Sequence, residues 1–118
     1  MHLDMASSES IKSFVQKVST EFDRIDGFVA NAGIMVDQWT EVEGMESGIA
    51  INVINTLQIG VLMMPKLREV GLKHKIHPTL VFIVSVLGYT TKAELDKSQE
   101  GGIFKGFNDQ KRANMDQR

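Results

Sequence analysis

Hydrophobic residues recur along the chain with two different periods, and together they mark four elements. Ile11, Phe14, Val15, Val18 and Phe22 follow one another at steps of three, one, three and four. That spacing puts them on one helical face and predicts a helix from Ser8 to Phe22. Ser7 or Ser8 suits the cap of its exposed N–H groups, and Glu9 suits the positive end of its dipole. Gly27-Phe28-Val29-Ala30-Asn31 is a short apolar run, entered through the turn-like Asp23-Arg24-Ile25-Asp26. Apolar residues on both faces are the pattern of a parallel strand covered on both sides. Ile49, Val53, Leu57, Gly60, Met64 and Leu67 recur at three and four. They predict a long helix from roughly Val42 or later to Val70, bent or broken at Pro65 and stopped by Gly71. Leu80-Val81-Phe82-Ile83-Val84 is a second buried strand, closing on Ser85.

The order helix, strand, helix, strand predicts an α/β fold with a parallel sheet and a right-handed crossover. Two strands are too few for such a sheet, so His2-Leu3-Asp4 is read as the end of a third. Residues 1–89 form the sheet-bearing unit in this reading. Beyond Tyr89 the chain turns polar, and residues 90–118 are predicted to be a loop or tail with at most one short helix.

Composition narrows the function classes. With 13 Lys+Arg against 15 Asp+Glu, the net charge is −2, which leaves no basic surplus for nucleic acid. The absence of cysteine removes disulfides and thiolate metal sites and is compatible with a cytoplasmic setting. The most apolar stretch, Ile49 to Met64, is interrupted by Asn52, Asn55, Thr56 and Gln58 and is read as a buried helix rather than a membrane span. His74 and His77 lack an apparent third partner, so no metal site is expected.

In open parallel sheets, ligands bind beyond the carboxyl ends of the strands. The polar residues at those ends are Asp4, Asn31 and Ser85. Ala32 and Gly33 follow Asn31 and would let a ligand approach the backbone. Each also has a plain structural use: Asp4 as a helix cap, Asn31-Gly33 as a turn, Ser85 as a strand end.

Asp26 to Ile34, with its Asn31-Ala32-Gly33 core, resembles the central strand and Asn-Ala-Gly motif of the short-chain dehydrogenase/reductase family. Leu3-Asp4-Met5 resembles that family's earlier Leu-Asp-Leu element. Ala50-Ile51-Asn52-Val53, with Pro65 thirteen residues on, is similar to its long helix, and Leu80 to Ser85 to its next strand. The tail, Phe107-Asn108-Asp109 through Asn114 to Arg118, most resembles members of fungal type. The resemblance implies part of a Rossmann-type, doubly wound sheet with flanking helices, spanning the centre of an NAD(P)-binding domain. It implies hydride transfer between NAD(P) and a carbonyl or alcohol, with NADP slightly favoured over NAD. It assigns Asp4 to the adenine edge and Asn31, Ala32 and Gly33 to the cofactor cleft. Asn52 would stand at an irregular point of the long helix and hold a proton-relay water. Ser85 would orient the substrate carbonyl and stabilise the developing alkoxide, for which an uncharged donor is suited.

The departures carry equal weight. The family opens with a strand and a glycine-rich turn that cradles pyrophosphate at a helix N-terminus. Gly44-Met45-Glu46-Ser47-Gly48 imitates the glycine spacing, but Glu46 would repel phosphate and no buried strand precedes it. The family's tyrosine with a lysine four residues on has no match: Tyr89 is followed by Lys92 and Ala93. The resemblance therefore implies a chain cut short at both ends, with its activity lost or impaired. The alternative is a non-catalytic interaction module that pairs as a homo-oligomer through helix 42–70.

Overall fold

The computed structural model describes residues 1–86, 102–111, 113 and 115. Its centre is a parallel pair of strands, β1 (Gly27–Ala30) and β4 (Thr79–Phe82), in register Gly27↔Thr79 to Ala30↔Phe82. Helix α1 (Ser8–Glu21) precedes β1. Ser7 is its N-cap, accepting from the Ser10 N–H at 3.2 Å. Ile11, Val15 and Val18 of α1 are buried, as their spacing predicts, whereas Phe22 lies at the C-cap and is half-exposed.

The connection from β1 to β4 is one continuous helix, Ser47–His74, preceded by a small hairpin. The hairpin is β2 (Glu41–Val42) against β3 (Met45–Glu46). Glu43 and Gly44 both take positive φ, 51° and 81°, the two-residue turn that suits the twist of paired strands. The helix predicted to start at Val42 or later starts at Ser47, after this hairpin. An Glu-Gly pair does not advertise this turn as Asn-Gly would.

The helix itself has three parts: an α-turn, α2 (Ser47–Ile49), a π-helix (Ala50–Asn55) and α3 (Thr56–His74). It runs through Pro65 without a break in helical assignment, and the predicted stop at Gly71 falls four residues late, at Lys75. Lys75 adopts the left-handed conformation (φ 55°), and Lys75 and Ile76 donate to the Gly71 carbonyl. Gly71 serves instead as a point of close approach, since a Cβ there would sit 3.1 Å from Pro78 Cδ.

The predicted apolar stripe on this helix is buried only in part, at Gly60 and Leu67. Val53, Leu57 and Met64 are exposed, while Asn55, Thr56, Ile59, Met63, Leu67 and Val70 are buried. The π-turn breaks the 3.6-residue phase on which the stripe was drawn, and the exposed side is apolar too.

Both helices pack on the same side of the sheet. Ile11, Val15, Val18, Ala30, Ile59 and Met63 form the core, with Leu3, Phe14, Phe28 and Phe82 against it. The expectation that each strand is covered on both sides fails among the described residues. Phe28, Ala30, Leu80 and Phe82 point into the core, but Val29 is 57% and Val81 36% exposed. His2-Leu3-Asp4 forms no strand either; Leu3 packs on the core as irregular chain. Beyond β4, a short helix α4 (Ile103–Phe107) follows Gly102, and residues 87–101 lie outside the described residues. The architecture is a partial α/β fold, helices flanking a small parallel sheet.

The long helix is long and apolar enough to cross a membrane by length and composition. In the fold it lies against α1, β1 and β4 and supplies the centre of the core. Its buried Lys66 reaches out to Glu69 at 3.2 Å.

At the helix C-terminus, Lys73 and His74 clasp Asp23, which leads from α1 toward β1. The Lys73 hydrogen bond is the chief reason that the Asp23 carboxyl is held below its ordinary value of 3.8. Arg24 similarly grips Asp26 and lowers its pKa.

Two outcomes follow from this packing. Gly60 faces the Phe82 ring, and a Cβ there would lie 2.3 Å from Phe82 Cζ. Gly60→Ala is expected to lower stability by about 1–3 kcal/mol in urea unfolding, despite the better helix propensity of alanine. An unchanged or raised midpoint contradicts this packing. For Asp23, the unfolded state binds the proton more readily than the folded state. Its stabilising effect is therefore present above pH 3.8 and is lost as pH falls through the lower folded-state value. The stability gap between the parent and Asp23→Asn should be open above that pH and close in acid.

Candidate functional site

The chain leaves β1 at Ala30 and β4 at Phe82 side by side, because the strands are parallel and paired in register. The Ile83 N–H still donates to the Ala30 carbonyl at 3.1 Å, so the two exits stay joined for one residue more. Beyond them the segments 31–34 and 83–85 diverge and open a cleft of ≈ 450 Å³. The N-terminal part of the long helix closes its third side through Asn52, Val53 and Thr56.

Asn52 determines the shape of this rim. It stands in the π-helix, and its side-chain amide makes two hydrogen bonds with the backbone of Ile34. Its Oδ1 accepts from the Ile34 N–H and its Nδ2 donates to the Ile34 carbonyl, both at 2.8 Å. The pair copies the two bonds of a strand ladder and pins the loop after Asn31-Ala32-Gly33. Gly33 is needed for it, since a Cβ there would lie 3.0 Å from Asn52 Oδ1. The π-turn has its own support: Thr56 Oγ1 donates to the Ile51 carbonyl at 2.8 Å, five residues back.

Asn31, Ala32, Gly33, Asn52 and Ser85 thus share one cleft. Asp4 does not line it. Asp4 Oδ1 accepts from the Ala6 N–H at 2.8 Å, closing the turn that leads into α1. Its neighbours Leu3 and Met5 line a smaller adjoining cavity of ≈ 50 Å³ together with Asn31, Ala32 and Thr56. Asp4 is therefore next to the cleft through its neighbours rather than in it. Tyr89 and Lys92 lie outside the described residues.

Thr56 borders both cavities and was not singled out from sequence as a site residue. The available signal was its place, with Asn52 and Asn55, among polar interruptions of an apolar helix. Ile34, Ile83 and Val84 also line the cleft and give it apolar walls.

The glycine pattern at Gly44–Gly48 is closed to phosphate. Glu46 is 1% exposed, and its carboxylate accepts from the Gly48 and Ile49 N–H groups at 2.7 and 2.9 Å. The helix N-terminus is already capped by the Glu46 side chain.

Among the described residues, no acidic or basic side chain lines the cleft. Its rim offers bare backbone at Ala32 and Gly33, a neutral hydroxyl at Ser85 and apolar walls. Among the described residues, this lining suits a flat, largely apolar group and offers no charged contact to a phosphate.

This arrangement defines a parallel α/β unit with its candidate site at the carboxyl ends of adjacent strands. The family model for short chain dehydrogenase matches residues 1–95. The chain is 38% identical over 108 residues to the short chain dehydrogenase/reductase dmxR8 of Cryptosporiopsis sp., a match covering 91% of this chain and 33% of that protein. It is 34% identical over 117 residues to the short chain dehydrogenase atnD of Emericella nidulans, covering 98% and 37%. Human retinol dehydrogenase 13 is 35% identical over 68 residues, covering 57% and 20%. The chain belongs to the short chain dehydrogenase/reductase family of oxidoreductases. It spans about a third of the length of the first two relatives.

Proposed function

We propose that this chain contributes the central part of an NAD(P)-dependent site for hydride transfer to or from a small carbonyl or alcohol substrate. The observation that carries this reading is the shared cleft of Asn31, Ala32, Gly33, Asn52 and Ser85 at the strand ends. A nicotinamide ring, when bound, supplies or accepts the hydride. Ala32 and Gly33 leave the backbone open to it, and Asn52 keeps their loop from drifting. The Ser85 hydroxyl donates to the substrate oxygen where negative charge develops, in a cleft with apolar walls that strengthen the interaction. Asp4, one turn from the smaller cavity, holds the adenine edge. NADP is slightly favoured over NAD, and the setting is cytoplasmic.

No tyrosine in the 118 residues has a lysine four positions on. The proton partner of the hydride step is therefore not supplied by these residues. The 118-residue chain alone is expected to bind NAD(P) poorly and to turn over little or nothing.

A second reading draws on the outer side of the long helix, where Leu57, Val61, Met64 and Leu72 are 51–76% exposed. That stripe suits pairing between copies without catalysis.

The test is reduced-nicotinamide absorbance with a panel of small ketones, run beside light scattering. Little turnover is expected from the 118 residues. A chimera adding a glycine-rich turn before residue 1 and Tyr-x-x-x-Lys after residue 118 should be active, and Ser85→Ala should lower its kcat by about a hundredfold. Robust turnover by the 118 residues, or an active chimera indifferent to Ser85→Ala, contradicts the reading. A stable dimer that binds no NAD(P) supports the pairing module instead.

A further inference from the structure

Asn55 is buried at 4% exposure, and its side chain leaves the helix entirely. Its Nδ2 donates to the Met5 carbonyl at 2.7 Å, joining segments 50 residues apart. Met5 belongs to the loop that carries Asp4; Leu3 and Met5 pack on the core and Ser8, just beyond the loop, bonds with Glu43 and Gln58, while the other hydrogen bonds of residues 4–7 among the described residues are short-range. The Asp4 N–H donates to Ser10 Oγ at 2.9 Å, the Ala6 N–H to Asp4 Oδ1 at 2.8 Å and the Ser7 N–H to the Asp4 carbonyl at 3.3 Å. Those bonds shape the loop; the Asn55 bond ties its backbone to the long helix.

Asn52 and Asn55 occupy the same π-helical segment and hold different loops: Ile34 on one side, Met5 on the other. In an α-helix, residues three apart are near neighbours on one face. The wider turn, with its i→i+5 spacing, spreads them around the axis so that each reaches its own loop. Thr56, bonded back to Ile51, keeps that turn open.

We propose that Asn55 is a positioning residue for the adenine-side loop of the cleft, and that one π-turn sets the spacing between this loop and the Ile34 loop held by Asn52. The ligand half of this proposal rests on the dinucleotide reading above; the latch itself does not. Through it, a single helical turn fixes the distance between the two ends of one extended ligand. An adenine-bearing nucleotide senses Asn55, whereas a nicotinamide-bearing one senses Asn52.

The test uses the 118-residue chain with site-resolved amide exchange, and adenosine monophosphate and nicotinamide mononucleotide as probes. Asn55→Ala should lower protection at Asp4, Ala6 and Ser7 by about tenfold, as expected for the loss of one hydrogen bond, and leave Ile34 unchanged. Asn52→Ala should do the reverse. Asn55→Ala should also weaken adenosine monophosphate about tenfold and leave nicotinamide mononucleotide unaffected. Equal loosening of both loops, or no loss at Asp4, Ala6 and Ser7, overturns the latch. Unchanged adenosine monophosphate affinity despite a loosened loop overturns the ligand half. If the parent chain binds neither probe at millimolar concentration, the ligand half fails, the dinucleotide reading is decided separately by titration with NADPH, and the exchange pattern still decides the latch. Should Asn55→Ala not fold, the Asn55 side-chain amide of the parent decides it. Slow exchange and a contact to Met5 support the latch, and fast, averaged protons overturn it.

Discussion

The site depends on the two hydrogen bonds between the Asn52 amide and the Ile34 backbone. They connect the helix that makes the core to the loop that makes the rim. Everything near them is adjusted to allow them: Gly33 has no Cβ to obstruct the amide, and the helix widens into a π-turn at Asn52. A π-turn leaves backbone carbonyls without their usual partners, and Thr56 offsets one of them at Ile51. The local irregularity thus costs less than the same irregularity would in an unassisted helix. Such irregular turns concentrate where a side chain must be aimed at a definite place.

The packing beneath is one-sided. α1 and the long helix cover one face of the β1–β4 pair, and Gly60 lets the Phe82 ring lie directly on the helix. The opposite face shows Val29 and Val81, and the strand continuation shows Ile83 and Val84 at 54% and 80% exposure. The residues that make both faces of these strands apolar are the ones that a doubly wound sheet would cover from both sides. The chain spans about a third of the length of its relatives, which agrees with a core seen in part.

Much of the fold was readable from the chain, and the reasons it was readable are specific. Ile11, Val15 and Val18 repeat at helical spacing on an otherwise polar helix, so their face was unambiguous. Asn31-Ala32-Gly33 and Ser85 stand directly after apolar runs, so their place beyond the carboxyl ends of the strands followed from parallel-sheet geometry, although β4 ends at Phe82, three residues short of Ser85. The long helix was harder. It is apolar around much of its circumference, so periodicity could not choose its buried side, and the π-turn shifted the phase. The Glu41–Glu46 hairpin was hidden because Glu43 adopts a positive φ that its residue type does not announce. Asn55 was hidden for another reason: its partner Met5 is remote in sequence, and a buried asparagine does not declare what it holds. Asp4 was placed at a strand end, yet it closes a turn before α1, a use its residue type serves equally well.

The central claim is that the strand-end loops and the π-turn enclose one cleft that receives the nicotinamide end of a dinucleotide. Backbone amide shifts of the 118-residue chain, followed during titration with NADPH, test it most directly. The account predicts weak but saturable shifts at residues 31–34, Asn52 and 83–85 and in the Asp4–Ser7 loop, with the Gly48 and Ile49 amides beside Glu46 unmoved. Saturable shifts centred on residues 44–49, or no shift in the strand-end loops at saturating NADPH, would contradict it.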